Sequence, residues 1–117
     1  MPGYLTTHVL DTARGVPAAG LRISLFRVYA TTRTHLAEME TNADGRTDAP
    51  ILPSSDFAPG TYELVFDVAG YLEKSGDTPP EKAFLDEIPI RFKMTEKSHY
   101  HVPLLLSPFG YSTYRGS

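Results

Sequence analysis

The sequence predicts an all-β antiparallel sandwich carrying one short helix. Three observations predict it. Several segments alternate apolar and polar side chains with a period of two. Prolines and glycines are spread along the chain, punctuating short segments. Only one stretch reads as a helix, and it is short.

Residues 4–11 form the first expected strand, with Leu5, Thr7 and Val9 opposite Thr6, His8 and Leu10. Residues 21–29 begin the same way, Leu21, Ile23 and Leu25 against Arg22 and Ser24. Weaker strands are expected at 35–41 and 45–52, either side of an Asx- and glycine-type turn, Asn42-Ala-Asp-Gly45. Residues 61–68 are stronger: Tyr62, Leu64, Phe66 and Val68 share one face, and Thr61, Glu63 and Asp67 the other, with Val65 the exception. The helix is expected at 69–75, bounded by Gly70 and Gly76 and followed by Pro79-Pro80. In 87–94, Ile88, Ile90, Phe92 and Met94 oppose Glu87, Arg91 and Lys93. Pro89 sits on the polar side; lacking an N–H, it suggests an edge strand or a bulge. In 99–107, Tyr100, Val102, Leu104 and Leu106 oppose His99, His101, Pro103 and Leu105. A weaker strand at 110–115 closes a set of seven or eight.

With 117 residues, 41% of them apolar, the chain is expected to form a single domain over 1–117 with one core. Eleven basic and fourteen acidic residues include no dense Lys/Arg cluster, so the footprint of a nucleic-acid binder is missing. Cysteine is absent, which removes disulfides, thiolate catalysis and Cys-ligated zinc together. No apolar run is of signal-peptide or membrane-spanning type, so a soluble, cytoplasmic protein is the expectation.

Alternation turns His8 and His101 away from the core. If their strands are neighbours, the two imidazoles can meet on the outer face of one sheet, where histidine suits general acid–base work. Position alone favours two ordinary surface histidines. His99 and His101 share a face at a spacing that can bind metal, but two ligands are a weak metal signal. Arg46 follows the Gly45 turn; its fork of donors suits an oxyanion or a planar urea-like ligand, but the sequence alone favours a solvated charge. The tail from Ser107 to Ser117 is rich in aromatic and hydroxyl groups, which argues for packing against the frayed end that is the common case. There is no glycine-rich phosphate loop and no Gly-x-Ser-x-Gly elbow. Glu38 and Glu40 read as a solvated pair.

Four segments resemble the 5-hydroxyisourate hydrolases, the transthyretin-like enzymes of urate breakdown. They are Leu5-Thr-Thr-His-Val-Leu-Asp11 with Gly15 and Pro17, Thr41-Asn-Ala-Asp-Gly-Arg-Thr47, Phe84-Leu-Asp-Glu-Ile-Pro-Ile-Arg-Phe92, and the run from His99 to Ser117 ending Tyr-Arg-Gly-Ser. The resemblance covers nearly the whole chain. It implies a transthyretin-like sandwich of two four-stranded sheets and a homotetramer, a dimer of dimers with active sites between the dimers. It implies His8, Arg46, His101 and Tyr114 as catalytic positions, with Arg115, Gly116 and Ser117 completing the closing tetrapeptide. Substrate binding would fall to His8, Arg46, Tyr114, Arg115 and Ser117, with no cofactor and no metal.

The implied reaction opens a lactam ring of 5-hydroxyisourate with water, giving 2-oxo-4-hydroxy-4-carboxy-5-ureidoimidazoline. In this reading His101 or His8 deprotonates the water, and the other orients it or protonates the leaving nitrogen. Arg46 stabilises the oxyanion or clamps the substrate. Tyr114 shapes the pocket, supported by Arg115 and Ser117. Two readings compete. A transthyretin-type carrier of an aromatic hormone would share the fold, but should have a more apolar channel. A structural sandwich module should tolerate loss of its last residues.

Overall fold

A computed structural model describes residues 2–76 and 78–116. The strands are β1 (Tyr4–Asp11), β2 (Val16–Pro17), β3 (Arg22–Val28), β4 (Arg33–Glu40), β5 (Gly60–Asp67), β6 (Glu87–Met94), β7 (His99–Ser107) and β8 (Gly110–Thr113). The helix α1 (Val68–Lys74) follows β5 directly. Two four-stranded sheets form, in the orders β2-β1-β7-β8 and β4-β3-β5-β6.

The period-two pattern builds the core between these sheets. Leu5 and Val9 of β1, Ile23 and Leu25 of β3, Tyr62, Leu64 and Phe66 of β5, and Leu104 and Leu106 of β7 are all buried. Burying each side chain of this kind is worth about 1.5–3 kcal/mol. The opposite positions of β1 and β7, His8 and His101 among them, stand on the outer face of the first sheet. Pro89 lies on β6, an edge strand, as its missing N–H requires.

Several expectations need correction. The first sheet is mixed rather than wholly antiparallel: β1 pairs with β7 in parallel, Thr6 opposite His101 and His8 opposite Pro103. Alternation assigns faces and carries no strand direction, so it had no means of showing this. Residues 45–52 do not form a ladder strand. They run along the free edge of β1 with isolated bridges at Leu5–Leu52 and His8–Arg46, and Pro50 offers no N–H to extend them. Val9 N donates to Gly45 O at 2.8 Å and Leu5 N to Leu52 O at 2.9 Å, so the segment satisfies an edge that the two-residue β2 leaves open.

Gly70 lies inside α1 instead of bounding it. The Asp67 side chain caps the helix by accepting from Gly70 N at 3.0 Å, and a side chain at 70 would collide with that carboxylate. Gly76, at φ +81°, follows the helix end.

The last strand stops at Thr113 because of Pro103. Continuing the β7–β8 register would set Tyr114 against Pro103, which has no N–H to give. Thr113 Oγ1 donates to Pro103 O instead, at 2.7 Å. The same register resumes beyond the gap, where Gly116 N donates to His101 O at 2.7 Å.

The helix is tied to β1 by a buried pair. Tyr71 Oη donates to Asp11 Oδ2 at 2.7 Å, and Asp11 Oδ1 accepts from Arg14 N at 3.1 Å. Burial and then the Asp11 carboxylate push the Tyr71 phenol up to about 12, so it stays a donor. Tyr71→Phe leaves a buried carboxylate short of one donor and is expected to destabilise the fold by about 1–3 kcal/mol, read from the urea midpoint at unchanged m-value.

Candidate active site

Outward positions of two adjacent strands meet on the outer face of the first sheet. Because β1 and β7 run parallel in this register, His8 and His101 are diagonal rather than direct neighbours. His8 Nδ1 and His101 Nε2 share a hydrogen bond of 2.7 Å, with the rings edge to edge, their centroids 4.9 Å apart and their planes within 15° of each other. His101 Nδ1 bonds Thr6 Oγ1 at 2.7 Å, and that hydroxyl also reaches His99 Nε2 at 2.6 Å. Tyr4 stacks on His99 at 4.2 Å and nearly parallel.

Arg46 approaches from the loop that covers the β1 edge. The turn before it is pinned by Asn42, whose Oδ1 accepts from Asp44 N and Arg46 N and whose backbone N–H donates to Arg46 O. Gly45 has φ +72° and lies so close to Val9 O that a side chain there would collide with it. The loop therefore presents Arg46 beside the histidines, and among the described residues its guanidinium makes no ion pair.

Tyr4, Thr6, Arg46, Asp48, His99 and His101 line a cleft of about 380 Å³. Burial lowers the His101 pKa to about 4, with further lowering from the charges of His8, Arg46 and His99. His8 is also lowered, by burial first and then by Arg46. Both imidazoles are therefore neutral near pH 7. A neutral imidazole pair beside a guanidinium can take a proton from one atom while stabilising negative charge on another.

Of the sequence-predicted residues, His8, Arg46 and His101 come together. Tyr114 and Arg115 do not line this cleft within one protomer. They line a second one, with Ile90, Phe92, Tyr100 and Val102, in the opening between β6 and β8. Arg115 stacks over Tyr100 with its guanidinium carbon 4.2 Å from the ring centroid. Ser117 lies outside the described residues. Gly116 does pack against His101, since a side chain there would come within 2.7 Å of His101 Cδ2. Gly116→Ala is expected to lift the tail from β7. Losing its hydrogen bond, worth about 1 kcal/mol, should speed amide exchange at position 116 about fivefold.

Thr6 was missed, and His99 was read only as half of a weak metal pair. Both were readable: Thr6 shares the outward parity of His8, and His99 that of His101.

The sandwich and its titratable cleft define a transthyretin-like protein with the means for acid–base chemistry. A family model described as HIUase/Transthyretin matches residues 5–116, and the chain belongs to that family. It is 62% identical over 115 residues to a protein of Mesorhizobium japonicum named 5-hydroxyisourate hydrolase, covering 98% of this chain and 93% of that one. The structure of Klebsiella pneumoniae 5-hydroxyisourate hydrolase superposes with a TM-score of 0.82 at 34% identity, over 98% of this chain and 99% of that one. Sea bream transthyretin, solved with thyroxine, gives a TM-score of 0.84 at 29% identity, over 96% and 93% of the two chains.

Proposed function

We propose that this protein hydrolyses 5-hydroxyisourate by direct attack of a histidine-activated water on the lactam carbonyl, giving 2-oxo-4-hydroxy-4-carboxy-5-ureidoimidazoline. One observation carries the reading: a hydrogen-bonded imidazole pair stands beside an arginine with no ion-pair partner among the described residues. The names of the relatives supply the substrate.

Hydrogen bonding around the two imidazoles supports one division of roles. His101 has both ring nitrogens engaged, Nδ1 by Thr6 and Nε2 by His8. It has no lone pair left for a water. His8 has no hydrogen-bond partner at Nε2 among the described residues, so His8 is the base and His101 the group that orients it and shares the proton. The same proton is then returned to the leaving nitrogen. Arg46 stabilises the oxyanion, and its planar fork matches the urea-like edge of the substrate. Tyr114, Arg115 and Ser117 act in the assembled homotetramer, closing the site at the boundary between dimers.

The protein works as a single domain in the cytoplasm, and no helix among the described residues is long and apolar enough to cross a membrane. A hormone carrier would want an apolar channel, whereas Arg46, Asp48, His99 and His101 make this cleft polar and titratable.

The test uses fresh 5-hydroxyisourate generated by urate oxidase, following its absorbance decay with and without the protein. Acceleration by a species of tetramer mass in light scattering supports the reading. A folded tetramer that leaves the decay unchanged rules it out.

A further inference from the structure

The chain of hydrogen bonds does not end at His101. Thr6 Oγ1 lies 2.7 Å from His101 Nδ1 and 2.6 Å from His99 Nε2. A threonine hydroxyl has one proton to donate and a neutral imidazole has one N–H. Thr6 therefore donates to one of these nitrogens and accepts from the other. The choice is passed on, because His101 meets His8 through its remaining nitrogen at 2.7 Å.

We propose that Thr6 and His99 extend the histidine pair into one proton-relaying chain, His99–Thr6–His101–His8, with Thr6 as the positioning residue that sets both tautomers at once. The proposal rests on the hydrolase reading above and deepens it. The chain has two polarities. In one, Thr6 donates to His99 Nε2, His101 donates Nδ1–H to Thr6, and His8 donates Nδ1–H to His101, leaving His8 Nε2 bare and basic. In the other every bond is reversed, and His8 carries its proton on Nε2 as an acid.

Passing between the two is the proton transfer that the reaction needs. His8 Nε2 takes a proton from the attacking water. His8 Nδ1–H moves to His101 Nε2, His101 Nδ1–H to Thr6 Oγ1, and the Thr6 proton to His99 Nε2. One proton enters at His8 and one positive charge arrives at His99; the reverse sequence delivers the proton to the leaving nitrogen.

The surroundings favour His99 as the terminus. From β1, Tyr4 lays its ring against His99, and an aromatic face stabilises a neighbouring cation. From β7, His101 is the more buried imidazole, and from the covering loop Arg46 weighs against positive charge on it. Asp48, from the same loop, lines the cleft alongside His99.

The relay is tested by Thr6→Val, which keeps the branched shape and removes the hydroxyl, and by Thr6→Ser, which keeps the hydroxyl. In Thr6→Val, kcat should fall at least about tenfold with KM within about twofold, and the acid limb of the kcat profile should move. Thr6→Ser should recover most of the rate. Ring-nitrogen NMR of the wild-type protein at pH 7.5 gives a readout independent of activity and of any variant's folding. Protonation at His99 Nε2 and His101 Nδ1 should sum to one. Wild-type kcat and pH profile in Thr6→Val, or both nitrogens bare, or both protonated, would overturn the relay. An inert wild type would remove the hydrolase reading alone, and the nitrogen measurement would still decide the chain.

Discussion

His101→Ala is expected to lower kcat toward 5-hydroxyisourate by about 10²–10⁴-fold, the span that positioned acid–base groups supply. The loss exceeds that of one hydrogen bond because His101 is the middle of the array. Its Nε2 holds His8 Nδ1 and its Nδ1 holds Thr6, so removal leaves His8 without the partner that fixes its tautomer. KM should change less than kcat if the imidazole acts mainly on the transition state. A variant that folds and keeps more than a tenth of the wild-type rate would defeat the role.

The same residue gives the protein a pH signature. His101 is lowered from 6.5 to about 4 in the fold, chiefly by burial. Between these values the unfolded chain takes up a proton that the native one refuses, so stability is lost as pH falls from about 6.5 toward 4. Above 6.5 both states are neutral there and the contribution is constant. The comparison that isolates it is wild type against His101→Asn, by urea midpoint at pH 7 and pH 5. The wild type should lose more stability across that interval than the variant. Equal losses would show that the imidazole is not held neutral by its surroundings.

Much of this site was legible in the sequence because its chemistry sits on alternating strands. The row Tyr100, Val102, Leu104, Leu106 demanded a core, and that alone turned His99 and His101 outward. Leu5, Thr7 and Val9 did the same for His8. Alternation is local, however, and says nothing of which strands are neighbours or which way they run. The parallel β1–β7 pair, which sets Thr6 and not His8 opposite His101, depends on how the chain crosses between the sheets. The segment at 45–52 failed as a strand for a related reason: its hydrogen bonds go to one edge at a few points, and no periodic pattern encodes that. Pro103 was the opposite case. It was visible in the sequence, but its effect on Tyr114 needed the β7–β8 register. Beyond that interruption Tyr114 lines the other cleft within one protomer, so the role proposed for it rests on the proposed tetramer.

Arg46→Ala is expected to reduce kcat by about 10²–10³-fold, as for loss of one oxyanion donor. The informative variant is Arg46→Lys. Lysine keeps the charge, so the electrostatic lowering of His8 and His101 should persist, and the pH profile should keep its shape. What lysine loses is the planar fork, two parallel donors that a point-charge ammonium does not reproduce. If Arg46 only set the field around the histidines, Arg46→Lys would be nearly silent. If it grips the developing oxyanion or the urea-like edge, kcat/KM should fall at least about tenfold despite an unchanged profile. The loop itself should tolerate the exchange, because the turn is pinned by Asn42 through the backbone of residue 46 and not through its side chain. Steady-state rates across pH 5 to 9 for wild type, Arg46→Lys and Arg46→Ala separate the two roles. A lysine variant at the wild-type rate would assign Arg46 to tuning the histidines alone.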